Sequence, residues 1–399
     1  MNRSYFSAAL IFTAAFLLLT SILQAQSIQN VQVRGDVQID GRFFLNDQDD
    51  GYTDTFLIRR ARISVQGDLN DYFSFRIMPN FGGGNPDLQD AYIDFKPISF
   101  LTFRAGKFKA PVGLERLKSP TNLMLPELAL PTNLLPIRDT GIQATGMFGG
   151  GLLQIQAGLF NGALDNGSIN SDYNNAKEVA GRVFIRPFIK SESLLLKDFG
   201  FGFAGTSGEQ EGTIDTPRLP SYSSGGRQTI FRYRSDGTAE GTTIAEGNQN
   251  RLTPQLYYYT GPLGVMYEYA ASTHNVTVGD NSASLTHTAW NIQASYLLTG
   301  EKNGYGAIHP TNSLGSGYGA FEIAARYGIL SFDDNTYPLY SDPNCFAKKI
   351  NAWAVGINWY PTSGTRLSLS YEQTNFESVS GFQKNLAEKV FTSRIQVVF

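Results

Sequence analysis

From Val31 to Phe43 the odd positions read Val, Val, Gly, Val, Ile, Gly, Phe, and the even ones are Gln32, Arg34, Asp36, Gln38, Asp40 and Arg42. This strict period of two is the feature that most limits the fold, because a β-strand sends successive side chains to opposite faces. The run is long for a soluble strand. It suits a tilted strand crossing a bilayer, which takes roughly 9–11 residues plus overhang.

The pattern recurs along the chain. In 54–68, Leu57, Ala61, Ile63 and Val65 oppose Arg60, Arg62, Ser64, Gln66 and Asp68. In 71–80, Phe73, Phe75 and Ile77 oppose Ser74, Arg76 and Met78. In 87–96, Ala91, Ile93 and Phe95 oppose Asp90, Tyr92, Asp94 and Lys96. Further strands are predicted at 100–108, 139–148, 151–161, 177–187, 199–207, 251–260, 263–273, 286–299, 318–332, 350–360, 364–376 and 388–399. The total is about sixteen, an even number, as closed bacterial outer-membrane barrels require. The expected fold is therefore all-β: a transmembrane antiparallel up-and-down barrel.

Connection lengths alternate too. Short turns follow strands 2, 4, 6, 10 and 14, and longer segments follow strands 1, 5, 7, 9, 11, 13 and 15, which places both termini on the periplasmic side. The segments 188–198 and 300–317 are longer than this rhythm prefers. The stretch 208–250 is too long for a structureless loop, so an extra hairpin is expected between Gln228–Arg234 and Thr242–Glu246. Aromatic residues at strand ends (Phe43-Phe44, Tyr257 to Tyr259, Trp359-Tyr360) read as interfacial girdles. Phe399 closes a final strand with Val397, Ile395 and Phe391 in phase.

Composition agrees with an apolar outer surface. Charged residues are 17% of the chain, against roughly 25% in soluble domains. The net charge of −3 gives no case for nucleic-acid binding. A single cysteine, Cys345, excludes an intrachain disulfide and a multi-cysteine metal site, and it reads as an incidental thiol. The three histidines are widely spaced, which argues against a metal centre or a barrel-embedded hydrolase. No cofactor is implied. Residues 1–25 read as a secretory signal: Arg3, an apolar stretch from Ala8 to Leu19, and a cut after Ala25. The mature part, 26–399, is expected to be one barrel in the outer membrane of a Gram-negative bacterium, in contact with its lipids.

A barrel this wide leaves an aqueous channel, so residues facing the lumen decide what passes. Arg60, Arg62, Arg76 and Arg104 are expected to stack into a basic wall on strands 2, 3 and 5. The same faces carry Asp36, Asp40, Asp68, Asp90 and Asp94, and pairing with these leaves a weakly selective pore as an open alternative. The segment 107–138 holds Lys107, Lys109, Arg116, Lys118 and Arg138 with five prolines. Prolines exclude a central strand, and its many leucines need something to pack against. A loop folded into the barrel as a constriction meets both needs; a loop over the mouth or at a subunit contact is the alternative.

From Phe56-Leu-Ile-Arg-Arg-Ala-Arg-Ile-Ser-Val-Gln-Gly67 onward the chain resembles the phosphate-selective porin O and P family. The resemblance runs through Leu88 to Asp94, Arg104 to Pro111, Arg138-Asp-Thr-Gly141, Leu252 to Tyr259, Leu298 to Glu301, Gly319 to Tyr327 and Asn358 to Tyr360. It implies a trimeric channel of sixteen strands that passes phosphate or related anions along arginines to a lysine-bearing constriction. The positions matching the basic motifs are Arg59, Arg60, Arg62, Arg104, Lys107 and Lys109, with Asp94 as the acid.

The expected function is a passive diffusion channel for small hydrophilic solutes, biased toward anions such as phosphate, and not an enzyme. Two other readings stay open: a general porin without a binding site, and a non-conducting barrel whose outer loops (209–250, 333–349) bind a partner.

Overall fold

The computed structural model describes residues 28–45, 52–378 and 387–399. The expected signal at 1–25 and the side chain of Cys345 lie outside the described residues. The strands are β1 (Gln29–Phe44), β2 (Thr55–Asp68), β3 (Phe73–Asn80), β4 (Asp87–Ile98), β5 (Leu101–Phe108), β6 (Asp139–Phe148), β7 (Leu153–Phe160), β8 (Glu178–Ile185), β9 (Asp198–Glu211), β10 (Ser221–Ser223), β11 (Thr229–Tyr233), β12 (Ile244–Thr260), β13 (Leu263–Val278), β14 (Asn281–Leu297), β15 (Ala320–Ser331), β16 (Ser341–Thr362), β17 (Thr365–Ser378) and β18 (Glu388–Val398). All but β10 and β11 form a closed antiparallel barrel of 16 strands. The ring is sealed where β1 meets β18, with Asp36 opposite Val398 and Phe44 opposite Val390.

The alternation explains this wall. Val33, Ile39, Ile63, Ile77, Ile93, Ile142, Val183, Ile292, Ile323, Val355 and Ile395 all face outward and are exposed. An apolar band of that extent is a lipid-facing surface. Their sequence neighbours Gln38, Asp40, Arg62, Arg182, Asn291, Glu322 and Arg394 face inward and are buried.

Four expectations need correction. The connection after the strand expected at 263–273 is not long: β13 and β14 run on to a turn at Gly279-Asp280. Val276, Val278 and Leu285 continue the alternation and are buried against the material filling the mouth. Likewise β16 begins at Ser341, so most of the loop expected at 333–349 is strand. The extra hairpin joins β10 to β11, with Tyr222 opposite Phe231, while Ile244 onward belongs to the barrel strand β12. Finally, Tyr257 and Tyr259 point inward and are buried, so only Tyr258 of that run faces outward.

A fifth correction concerns β2. Gln38 is opposite Arg60 but Ile39 is opposite Ile58, so Arg59 is an inserted residue. Such a bulge shifts the alternation by one. Phe56 and Ile58 therefore face outward, at 77% and 55% exposed, and Leu57 falls in register with inward-facing Asp40 rather than on the lipid face.

The barrel is filled unevenly. Residues 109–138 fold into it and cover the inner wall from β13 round to β1. Leu114, Leu123, Leu125, Leu134 and Leu135 are buried there, each contributing roughly 1.5–3 kcal/mol. Its proline-interrupted backbone cannot join the sheet, so wall side chains satisfy its carbonyls. Gln38 donates to Pro120 O (3.3 Å), Gln396 to Thr121 O (3.0 Å), Arg366 to Leu123 O (2.6 Å), Asn358 to Met124 O (2.9 Å) and Arg326 to Glu127 O (2.7 Å); Arg394 donates to Pro126 O. From the mouth, β10 and β11 bring Tyr222, Phe231 and Tyr233 down among His287 and Phe332. From the opposite end, 298–319 sends Tyr305 up to Leu114 O (2.6 Å). The open lumen is thereby confined to the side of β2 to β8.

Candidate functional site: the constriction

Where the inserted segment faces β2, an aqueous space of about 250 Å³ remains. Its lining includes Arg59, Arg60, Arg62, Lys109, Arg116, Lys118, Arg138 and Arg227, against only Asp87 and Glu127 as acids. Three elements supply this charge, the third being the β10–β11 turn with Arg227. β2 brings three arginines together because its bulge turns Arg59 to the same side as Arg60. The inserted segment brings four cations of its own, Lys109, Arg116, Lys118 and Arg138.

The sequence-identified residues divide by partner. Arg104 makes a two-pronged pair with Asp94 at 2.7 and 2.8 Å and lies 3.7 Å over the Tyr92 ring. Asp90 is shared by Arg76 (3.4 Å) and Arg138 (2.8 Å). Arg59 pairs with Glu127 at 2.7 Å. The other five meet neutral groups: Arg60 donates to Gln38 (2.5 Å), Arg62 to Gln89 (3.5 Å), Lys107 to Asn170 (2.5 Å), Lys109 to Lys118 O (2.8 Å), and Arg116 to Thr132 O and Asn166. Among the described residues no carboxylate lies within 4 Å of these five. The expected four-arginine wall is thus two tiers. Toward the periplasmic side Arg104 is neutralised by Asp94 and Arg76 is partly offset by the shared Asp90, whereas Arg60 and Arg62 have no paired carboxylate at the constriction.

Enclosure perturbs the segment's own groups. Burial, with Arg138 nearby, pushes the Lys109 ammonium well below the usual lysine range. Burial brings Lys118 down to about 8 and Arg116 down to about 10. Such groups gain most from an approaching anion, because it replaces lost solvation.

Sequence reasoning named Arg59 and placed Arg42 on the polar face, but missed Glu127, Arg227 and Arg394. The Glu127 carboxylate accepts from Arg42 (2.7 Å), Arg59 (2.7 and 3.1 Å) and Arg394 (3.0 Å), and Arg227 stands 3.8 Å away. Burial alone would raise this carboxyl, but Arg59, Arg42 and Arg394 hold it well below the usual range. Arg394 lies in phase with the polar face of the last strand and was findable by alternation. Glu127 sits between Pro126 and Leu128 in an aperiodic segment and carries no such signal. A second buried cluster, Arg251 with Asp165 (2.6 Å) and Glu178 (2.5 Å), ties the 161–177 connection to β12.

Comparison with known proteins follows the same lines. The family profile described as phosphate-selective porin O and P matches residues 31–399. Among solved structures, OmpF of Salmonella typhi in complex with daunomycin aligns with a TM-score of 0.59 at 12% identity, over 92% of this chain and 97% of that one. An anion-selective porin from Comamonas acidovorans aligns at 0.56 and 10% identity, over 93% and 99%. OmpT of Vibrio cholerae in its trimer form aligns at 0.54 and 11% identity, also over 93% and 99%. At such identities the structures share the fold. None of the curated proteins is a significant match by sequence.

Proposed function

The chain belongs to the phosphate-selective porin O and P family, and from that premise we propose that it is a homotrimeric channel favouring small anions such as phosphate. It is an outer-membrane porin of a Gram-negative bacterium, a channel rather than an enzyme. The anion preference rests on one observation: eight basic against two acidic side chains line the narrow space between β2 and the inserted segment. Within about a Debye length, unpaired guanidinium and ammonium groups lower the barrier to anions and raise it to cations.

In this reading Arg104 and Arg76, offset by Asp94 and Asp90, line the periplasmic vestibule, and Lys107 and Arg138 mark its inner end. Arg59, Arg60, Arg62, Lys109 and Arg116 bind and pass the anion. A weakly selective pore is the second reading, favoured by the full pairing of Arg104 with Asp94. The zero-current potential of the purified protein in a planar bilayer under a KCl gradient decides between them. A potential on the chloride side, with block by added phosphate, supports the anion channel. A potential on the potassium side removes the anion preference and leaves a porin.

A further inference from the structure

We propose that Glu127 is a tethered counter-anion. In this assignment the chain's own carboxylate occupies an oxyanion cradle made by Arg42, Arg59, Arg227 and Arg394, and a permeating phosphate-type anion displaces it to bind there. The inference rests on the anion-channel reading above and adds the device that sets affinity.

Three observations carry it. The first is charge. Four guanidiniums surround Glu127, and the one other carboxylate among them is Asp40, which takes Arg394 at 2.6 Å and Arg42 at 3.1 Å. The cluster therefore keeps two uncompensated positive charges with Glu127 in place and gains a third when it leaves. The second is geometry. Arg59 meets both oxygens of Glu127, the forked arrangement by which arginine holds carboxylate or phosphate interchangeably. The third is access. Glu127, Arg59 and Arg227 all line the aqueous space, and the Arg227 side chain is 49% exposed.

The side chain can leave without moving the segment. Arg326 holds the Glu127 carbonyl at 2.7 Å, and the carbonyls of Leu123 and Met124 are held independently. Displacement needs only side-chain rotation. The function of such a tether follows from conduction itself, which requires a site strong enough to enter and weak enough to leave. An unoccupied four-arginine cradle would retain a dianion, whereas a carboxylate that returns to it helps expel the permeant.

The test is phosphate block of chloride current in planar bilayers. Compared with wild type, E127Q should be half-blocked at a phosphate concentration at least tenfold lower, with longer blocking events. R227Q should require severalfold more phosphate. If E127Q fails to give a folded barrel on heat-modifiable gels, E127D, which withdraws the carboxylate by one methylene, should shift the block in the same direction. Wild-type block in the Glu127 variant that folds, or weaker block, overturns the tether. Absence of both block and chloride-side potential in the wild type overturns instead the anion-channel reading on which it rests.

Discussion

Asp94 and Arg104 lie directly opposite each other on β4 and β5 and share two hydrogen bonds of 2.7 and 2.8 Å. The pair has near-zero net charge, so its arginine contributes little field to the lumen. R104Q should shift the zero-current potential less than R60Q or R62Q, whose arginines hydrogen-bond to neutral amides rather than to a carboxylate. D94N frees the guanidinium and should move the potential further toward chloride. An R104Q shift as large as that of R62Q would contradict the two-tier division.

Lys118 titrates near 8. Its pKa is depressed, so the side chain is charged below that value and neutral above it. Anion preference should therefore fall between pH 7 and pH 9. K118R, with a guanidinium that stays charged through this range, should flatten that part of the profile. Zero-current potentials at several pH values check this, and an identical profile in K118R would exclude Lys118 from the conducting path.

The cluster of Arg251, Asp165 and Glu178 has no exposed side chain. R251M leaves two buried carboxylates without their shared cation, and removing one partner of a buried pair costs about 3–5 kcal/mol. Thermal unfolding in detergent should show the loss. The zero-current potential should change little, because the three charged groups are outside the lining and meet it only through Asn166, next to Asp165.

Tyr305 reaches Leu114 O at 2.6 Å from the periplasmic connection. Its ring lies 5.6 Å from that of Tyr257 and 5.4 Å from the Lys118 ammonium. Y305F removes one buried hydrogen bond, about 0.5–1.5 kcal/mol, and should raise open-channel noise while leaving selectivity in place. Single-channel recording separates the two effects.

The sixteen wall strands were legible because lipid on one side and water on the other impose a period of two at every position. Legibility failed where one of those conditions lapses. Beyond the bilayer, at 274–285 and 341–349, polar residues on both faces resemble a loop, although Val276, Val278 and Leu285 still mark the inner face. At the β2 bulge the period itself breaks, and nothing in Arg59-Arg60 states that both turn inward. The basic residues of 107–138 could be collected from the sequence, but their partners could not. Which arginine retains free charge depends on contacts such as Arg59 to Glu127, separated by 68 residues, and no local pattern encodes them.

The inserted segment takes its hydrogen-bond donors from β15, β16, β17, β18 and β1, yet it leaves the wall between β5 and β6. Most of its anchors are therefore C-terminal strands, and two of them flank the seam that closes the ring. At that seam Gln38 and Gln396 bond each other and also hold the carbonyls of Pro120 and Thr121. Closure of the ring and narrowing of the pore thus share the same side chains, so a barrel loosened between β1 and β18 should also lose the fit of its constriction.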